Sequence, residues 1–395
     1  MVRRLRNSFN AAFTEQKYRK FLDALEEGYT QIPFRVAETP VFIPADLKNK
    51  LIKAGQEIIQ QISKPEFKTL TEGAVPAKWM VPNENDHPHF LTFDFGICKD
   101  EHGELTPKLI EMQGFPSLYG FQAHLAKTCK EQYGLKGNLT PYFEGLDEDS
   151  YLSLFREVIV GPYQPEEVAL MDVDAFQQKT LVDFLVTRKY LGIKILGLKD
   201  IQKEGKSLYY MEGERKIRLR RIYNRLIFDE IADQEVLFEA SFDPREELDI
   251  EWITHPNWFY KLSKFTMPFL KGEFVPKTYF LNDLRNVPQD LENYVLKPLF
   301  SFAGMGVIID VKQSDIHGIK DPENWILQRK VRYEPVVQSP DGGVKVELRL
   351  MYLWPDGAEP KLCITLARLS KGKMVGVRYN QDMDWVGGTV GLIEL

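Results

Sequence analysis

Residues 90–114, FLTFDFGICKDEHGELTPKLIEMQG, constrain the chain more tightly than any other stretch. Leu91, Phe93 and Phe95 interleave with Thr92, Asp94 and Gly96; a turn-like KDEHGE then leads into LIEMQ. That pattern reads as a β-hairpin with a longer connection. A hairpin folded symmetrically about His102–Gly103 sets Asp94 opposite Glu111 and Thr92 opposite Gln113. Because side chains alternate along a strand, Asp94, Glu111 and Gln113 then share one face. Leu91, Phe93, Phe95, Ile110 and Met112 take the other face and read as core. Two carboxylates held directly across a strand pair repel, at a cost of a few tenths to about 1 kcal/mol. A bound cation removes that cost. Asp, Glu and an amide oxygen form a hard-oxygen set suited to Mg2+, with phosphates and water completing the shell. The alternative is a solvated polar face whose register only resembles a site, because one bulge shifts the pairing.

The remaining sequence sorts into helical and strand-rich regions. Its 395 residues exceed what one core usually serves, and at roughly 150 residues per domain two to three lobes are expected. Apolar residues at helical spacing over 14–30 and 46–64 predict helices, so residues 1–85 read as a mostly helical N-terminal region. The hairpin region follows, over 86–165. From Glu166, EEVALMDVD reads as a strand, AFQQKTLVDFLVTRKYLG as a helix closed by Gly192, and IKILG as a strand. That order predicts a βαβ unit with a parallel pair, here assigned to 166–245. A hairpin, SLYYMEGERKIRLRRIYNRL, comes next. From about 275 the chain alternates strands (KTYFL, NYVLKPLF, GVIIDV, NWILQRKV, KVELRLMYLW, KLCITLARL, MVGVRY) with Gly/Pro/Asp turns. The class is mixed α/β and α+β, with a last region spanning 246–395.

Composition excludes several functions. Fifty-one Lys+Arg against 57 Asp+Glu leave a net charge of −6, unlike a dedicated nucleic-acid binder, which needs clustered positive charge. No apolar run approaches the ~18 residues of a membrane span. MVRRLRNSFNAAF is basic but lacks the apolar stretch of a secretory signal, so a cytoplasmic protein is expected. Cys98, Cys129 and Cys363 are widely spaced, which suits neither a disulfide scaffold nor a structural zinc site. Oligomeric state leaves no trace in the sequence.

A second chemical signal lies in NYVLKPLFSFAGMGVIIDV, where Lys297 in an apolar strand precedes a small-residue loop (Ser301, Ala303, Gly304, Gly306). Glycines admit backbone N–H groups close to phosphate oxygens, and the lysine supplies a point charge. A tight hairpin with a half-exposed lysine is the plainer reading. The element after the loop reads as a strand, which argues against a Rossmann fingerprint. Gly205-Lys206-Ser207 is not a P-loop, because Asp200 stands where the first glycine belongs.

Taken in order, these segments resemble the circularly permuted ATP-grasp enzymes, a family that includes glutathionylspermidine synthase-like carboxylate–amine ligases. The resemblance rests on TFDFG, PKLIEMQGFPSLYG, VALMDVD, KYLGIKILG, RIYNRL, PKTYFL, YVLKPLFSFAGMGV, WILQRKV, VELRLMYLW and LARL, and runs from about residue 90 to the end. It implies an ATP-grasp fold with a preceding βαβ domain. It also implies ATP and Mg2+ as cofactors and a ligase that joins a small-molecule or peptide carboxylate to an amine through an acyl-phosphate. Asp94, Glu111 and Gln113 would hold Mg2+; Lys297, Lys264 and the loop of Ser301, Gly304 and Gly306 would clamp phosphates; Gln328 would border the adenine. Arg349 and Arg368 would face the transferring phosphoryl group. Thr92 stands where relatives carry an arginine, Gln113 where Asn is usual, and Arg329 where an acid is common. Arg349, Arg368 or Arg378 would then have to supply the missing charge. Thr92 also supports a second reading, a catalytically degenerate ATP-grasp protein that binds a nucleotide or peptide.

Other features read more plainly. His87 and His89 flank Pro88 and could bind a metal, though solvent-facing histidines fit as well. RKIRLRRIYNR suggests a cleft for an anionic ligand, with Arg221 and Arg225 as candidates. Asn380, Asp382 and Asp384 offer an alternative metal set or a polar turn. HPNWFY reads as an aromatic packing corner.

Overall fold

A computed structural model describes residues 1–135, 137–231, 238, 241–301, 304–375, 380 and 382–395. Its helix Ala45–Ile62 shows how the large sheet acquires a packed face. Leu47, Leu51, Ala54, Ile58 and Ile62 recur at helical spacing and are buried. They pack with Leu91, Phe93, Phe95 and Ile97 of the strand Phe90–Lys99 and with Leu348, Leu350 and Tyr352 of the strand Gly342–Leu353. Gly55 lets the helix approach, since a Cβ there has no room against the Tyr352 hydroxyl.

That sheet runs Val41–Ile43, Gly387–Glu394, Lys361–Ser370, Gly342–Leu353, Phe90–Lys99, Leu105–Gln113. Neighbours are antiparallel except Val41–Ile43, which pairs in parallel with Gly387–Glu394. The N-terminal region is therefore not only helical. It contributes an edge strand too short to show periodicity.

The opposite face of the sheet is divided. At one end Phe90, Met351, Leu353, Ile364 and Leu366 pack with Leu170, Phe184 and Tyr223. Those three belong to the βαβ lobe, whose sheet runs Glu251–Ile253, Arg221–Asn224, Val168–Asp172, Lys194–Gly197, all parallel. Every residue of Val168–Asp172 is buried, as a parallel strand covered on both faces requires. Helix Leu181–Leu191 is closed by Gly192 at φ +75°, a conformation that favours glycine.

The expected hairpin over 207–226 divides. Ser207–Glu212 and Arg215–Leu219 form a meander with Ile201–Glu204, whereas Arg221–Asn224 crosses into the parallel sheet. A third, antiparallel sheet orders Thr278–Phe280, Trp325–Arg329, Tyr294–Pro298. The strand expected over GVIIDV reduces to one bridge, Leu296 to Ile308, after turns in which Gly304 and Gly306 have positive φ. Most of MVGVRY lies outside the described residues. Among the described residues no helix is long and apolar enough to cross a membrane.

Candidate functional site

The charged end of the divided face begins with the hairpin register. Asp94 stands opposite Glu111 and Thr92 opposite Gln113. Closer to the turn the pairing slips by one, with Phe95 opposite Leu109 and Ile97 opposite Pro107. Asp100 sets the turn: its Oδ1 accepts from the His102 and Glu104 N–H groups at 3.0 and 2.9 Å. The loop is thus not symmetric about His102–Gly103, and a bulge at Ile110 restores the acid pairing. Ile110, expected in the core, is partly exposed, and Leu109 fills the core instead. The freed Ile110 carbonyl accepts from Lys297 Nζ at 2.9 Å.

Asp94 is 1% exposed and is engaged by two arginines. Arg349, directly across the next strand, donates from Nε to Oδ1 at 2.6 Å and from Nη2 to Oδ2 at 2.7 Å. Arg368 Nη2 also donates to Asp94 Oδ2, and to Oε1 of the buried Glu347. Glu347 Oε2 accepts from the Tyr333 hydroxyl at 2.9 Å. Burial alone would raise the Asp94 carboxyl; the two guanidinium groups hold it below the usual carboxylate range. Pairing is what makes these charges tolerable, since desolvation costs several kcal/mol per buried ion.

Two lysines reach this face, Lys297 from the third sheet and Lys264 from the short helical turn Lys264–Phe269. Lys297 Nζ donates to Gln328 Oε1 at 2.6 Å as well as to Ile110, and burial pushes its ammonium down to about 8. Lys264 Nζ lies 3.4 Å from Glu111 Oε1 and 2.9 Å from the Ser301 carbonyl. The acid hairpin, both arginines, both lysines, Gln328 and Ser301 therefore meet in one place. Asp94, Glu111 and Glu347 stand against Arg349, Arg368, Lys264 and Lys297, an excess of one positive charge that favours an anion. Phe302 and Ala303 of the small-residue loop, and Arg378, lie outside the described residues.

Several polar atoms here are buried without a hydrogen bond: Thr92 Oγ1, Ser301 Oγ, Gln328 Nε2 and Arg368 Nε. Each such orphan costs about 1–3 kcal/mol, which a polar ligand relieves. A divalent cation would find Glu111 and Gln113, both partly exposed, on the same face. Asp94 adds less, since Oδ2 already accepts from two arginines and Oδ1 from one, leaving one lone pair on Oδ1. Two or three protein oxygens suit Mg2+ if phosphates and water complete its shell, so the donors fit. Among the described residues no group of three or more His, Cys, Asp or Glu side chains forms a metal cage.

Other candidates serve the fold. Asn85 Oδ1 accepts from Trp258 Nε1 at 2.8 Å, so its amide nitrogen faces His89 Nδ1 at 3.4 Å. His89 Nε2 lies 3.2 Å from Asp356, so both ring nitrogens face side chains of the fold. Arg221 pairs with Glu251 and the Val158 carbonyl, and Arg225 donates to the Pro116 carbonyl, so neither is a free cleft cation. Asn380 Oδ1 accepts from Ser370, Lys371 and Gly372, and Asp384 pairs with Arg35, so both side chains are engaged within the fold. Arg329 pairs with Asp290 at the surface. Sequence reasoning missed Glu347 and Tyr333. Glu347 had a signal, because it lies two residues before Arg349 and so shares its face; Tyr333, in an irregular segment, had none.

No protein-family model matches the chain, and no curated protein matches it in sequence. In structure it is similar to a glutathione synthetase-like effector from Globodera pallida, in its apo form. The TM-score is 0.61 over 98% of this chain and 99% of that one, at 10% identity. The two chains share a fold.

Proposed function

We propose that the chain is an ATP-dependent carboxylate–amine ligase of the circularly permuted ATP-grasp type. The observation that carries this reading is the meeting of Lys297 and Lys264 with the Ile110 carbonyl and Glu111, beside two arginines gathered on Asp94. A carboxylate oxygen of the substrate attacks the γ-phosphorus and ADP leaves; the amine then attacks the acyl carbon, the C–O bond to phosphate breaks, and the nitrogen gives up a proton to the departing phosphate or to water as the amide forms. Phosphoryl transfer of this kind is mostly positioning and charge stabilisation, which a site of cations without an activated nucleophile supplies. Lys297 and Lys264 clamp the phosphates, Gln328 offers its unpaired amide N–H groups to the base, and Arg349 and Arg368 neutralise the transferring group. Glu111 and Gln113, with one oxygen of Asp94, would hold Mg2+, which supplies Lewis-acid charge to the phosphate oxygens when bound. The carboxylate is a small molecule or a peptide. Three buried, unpaired cysteines suit a reducing, cytoplasmic setting.

Assaying ADP release across panels of carboxylates and amines, with ATP and Mg2+, tests the proposal. Release that depends on one carboxylate and one amine supports it. Binding of ATP with no release across a broad panel favours instead a nucleotide- or peptide-binding module. The absence of an arginine at Thr92 and the engagement of Asp94 by both arginines favour that second reading.

A further inference from the structure

Arg368 is held from two sides, and one of them leads out of the site. We propose that Glu347 and Tyr333 are positioning residues: they fix the Arg368 guanidinium beside Asp94 and tie its aim to the seating of the nucleotide-bearing sheet. This rests on the ATP reading of the site and adds to it a coupling between the two sheets.

Glu347 faces Gly96 on one neighbouring strand and Arg368 on the other. Its Oε1 and Asp94 Oδ2 both accept from the same nitrogen, Arg368 Nη2. Two carboxylates on different strands thus use both hydrogens of that nitrogen, which sets the plane of a rigid guanidinium. Arg349 does not need Glu347, because Asp94 already receives it in bidentate fashion. The remaining edge of Arg368 keeps an unpartnered Nε.

The outer oxygen of Glu347 accepts from Tyr333, whose ring packs over Gly96. A Cβ at Gly96 would sit 2.9 Å from two ring carbons, so the sheet is bare there to seat the ring. The next residue anchors the same segment: Glu334 N–H donates to the Ile97 carbonyl at 2.9 Å and its carboxylate pairs with Lys99 at 2.6 Å. This segment follows directly on Trp325–Arg329, the strand that carries Gln328, the partner of Lys297. The segment thus joins the strand that bears Gln328 to the hydrogen-bond chain Tyr333–Glu347–Arg368 on the large sheet.

The test is titration calorimetry of the full-length chain with Mg·ATP and with Mg·ADP, comparing wild type, Tyr333→Phe and Glu347→Gln. An arginine aimed at the terminal phosphate makes the wild type prefer ATP. Each variant is expected to lower the ATP-over-ADP ratio by about fivefold, the worth of one net hydrogen bond of about 1 kcal/mol, while ADP affinity stays unchanged. In an Arg368→Gln background Tyr333→Phe should leave the ratio where it is. An unchanged ratio in folded variants, or equal loss of both nucleotides, overturns the positioning role and leaves the ATP site standing. A wild type that binds neither nucleotide overturns both. Tyr333→Phe keeps the ring on Gly96, so it carries the test alone if Glu347→Gln does not fold.

Discussion

Burial acts directly on the charge of Lys297. Burial brings its ammonium from the usual 10.5 down to about 8, with Glu111 pulling the other way. Below about 8 the side chain is a cation and above it neutral, so nucleotide affinity should fall as pH rises through that value, approaching tenfold per unit. Lys297→Arg, which stays charged, should flatten the profile between about pH 8 and 9.5; titration calorimetry across that range reads both curves. Fold stability moves the opposite way. The folded value lies below the unfolded one, so the unfolded chain binds more protons between about 8 and 10.5, and this residue's contribution to stability rises with pH there. Asp94→Asn probes the other half of the site. It leaves the buried Arg349 without its carboxylate partner, while the half-buried Arg368 keeps Glu347, and should cost about 3–5 kcal/mol in urea denaturation. A loss under about 1 kcal/mol would mean the arginines find other partners.

At the scale of elements, the helix Ala45–Ile62 backs the large sheet behind the site, and the capped helix Leu181–Leu191 packs into the apolar end of the sheet's other face. Leu51→Ala, at a fully buried position against the large sheet, should cost about 2–5 kcal/mol in denaturant midpoint analysis without altering nucleotide selectivity. Gly192→Ala, at φ +75°, should cost about 1 kcal/mol by the same measurement. These elements were legible in the sequence because their signals are local: a helical stripe, a terminal glycine, an alternating hairpin. The bulge at Ile110 was not, since the side chain of Asp100 decides the turn length and no periodicity records it. The strand Gly387–Glu394 leaves little trace in the sequence because its glycines mask the alternation and one of its partners, Val41–Ile43, lies at the other end of the chain. Arg221–Asn224 continues the preceding hairpin in sequence, and nothing at Arg220 announces the change of sheet.

Across the whole molecule, the large sheet separates two tasks: one face joins the helix Ala45–Ile62, and the other is apolar under the βαβ lobe and charged under the small sheet. The residue types of the charged end were legible from alternation and resemblance, but their connections were not. Asp94 read as a metal ligand, whereas its partners in the fold are Arg349 and Arg368, brought from strands some 255 and 274 residues along the chain. A nucleotide bound between the small and large sheets would stabilise the whole chain, by about 2.7 kcal/mol at a hundredfold excess over Kd, visible as a rise in Tm. The most direct measurement of the central claim is titration calorimetry of the full-length protein with ATP, with and without Mg2+, for wild type and Lys297→Met. Binding at one site per chain that requires Mg2+ and is lost in Lys297→Met is expected. No binding by the wild type, or equal binding by the variant with Mg2+ absent, would contradict an ATP site built on Lys297 and the acid hairpin.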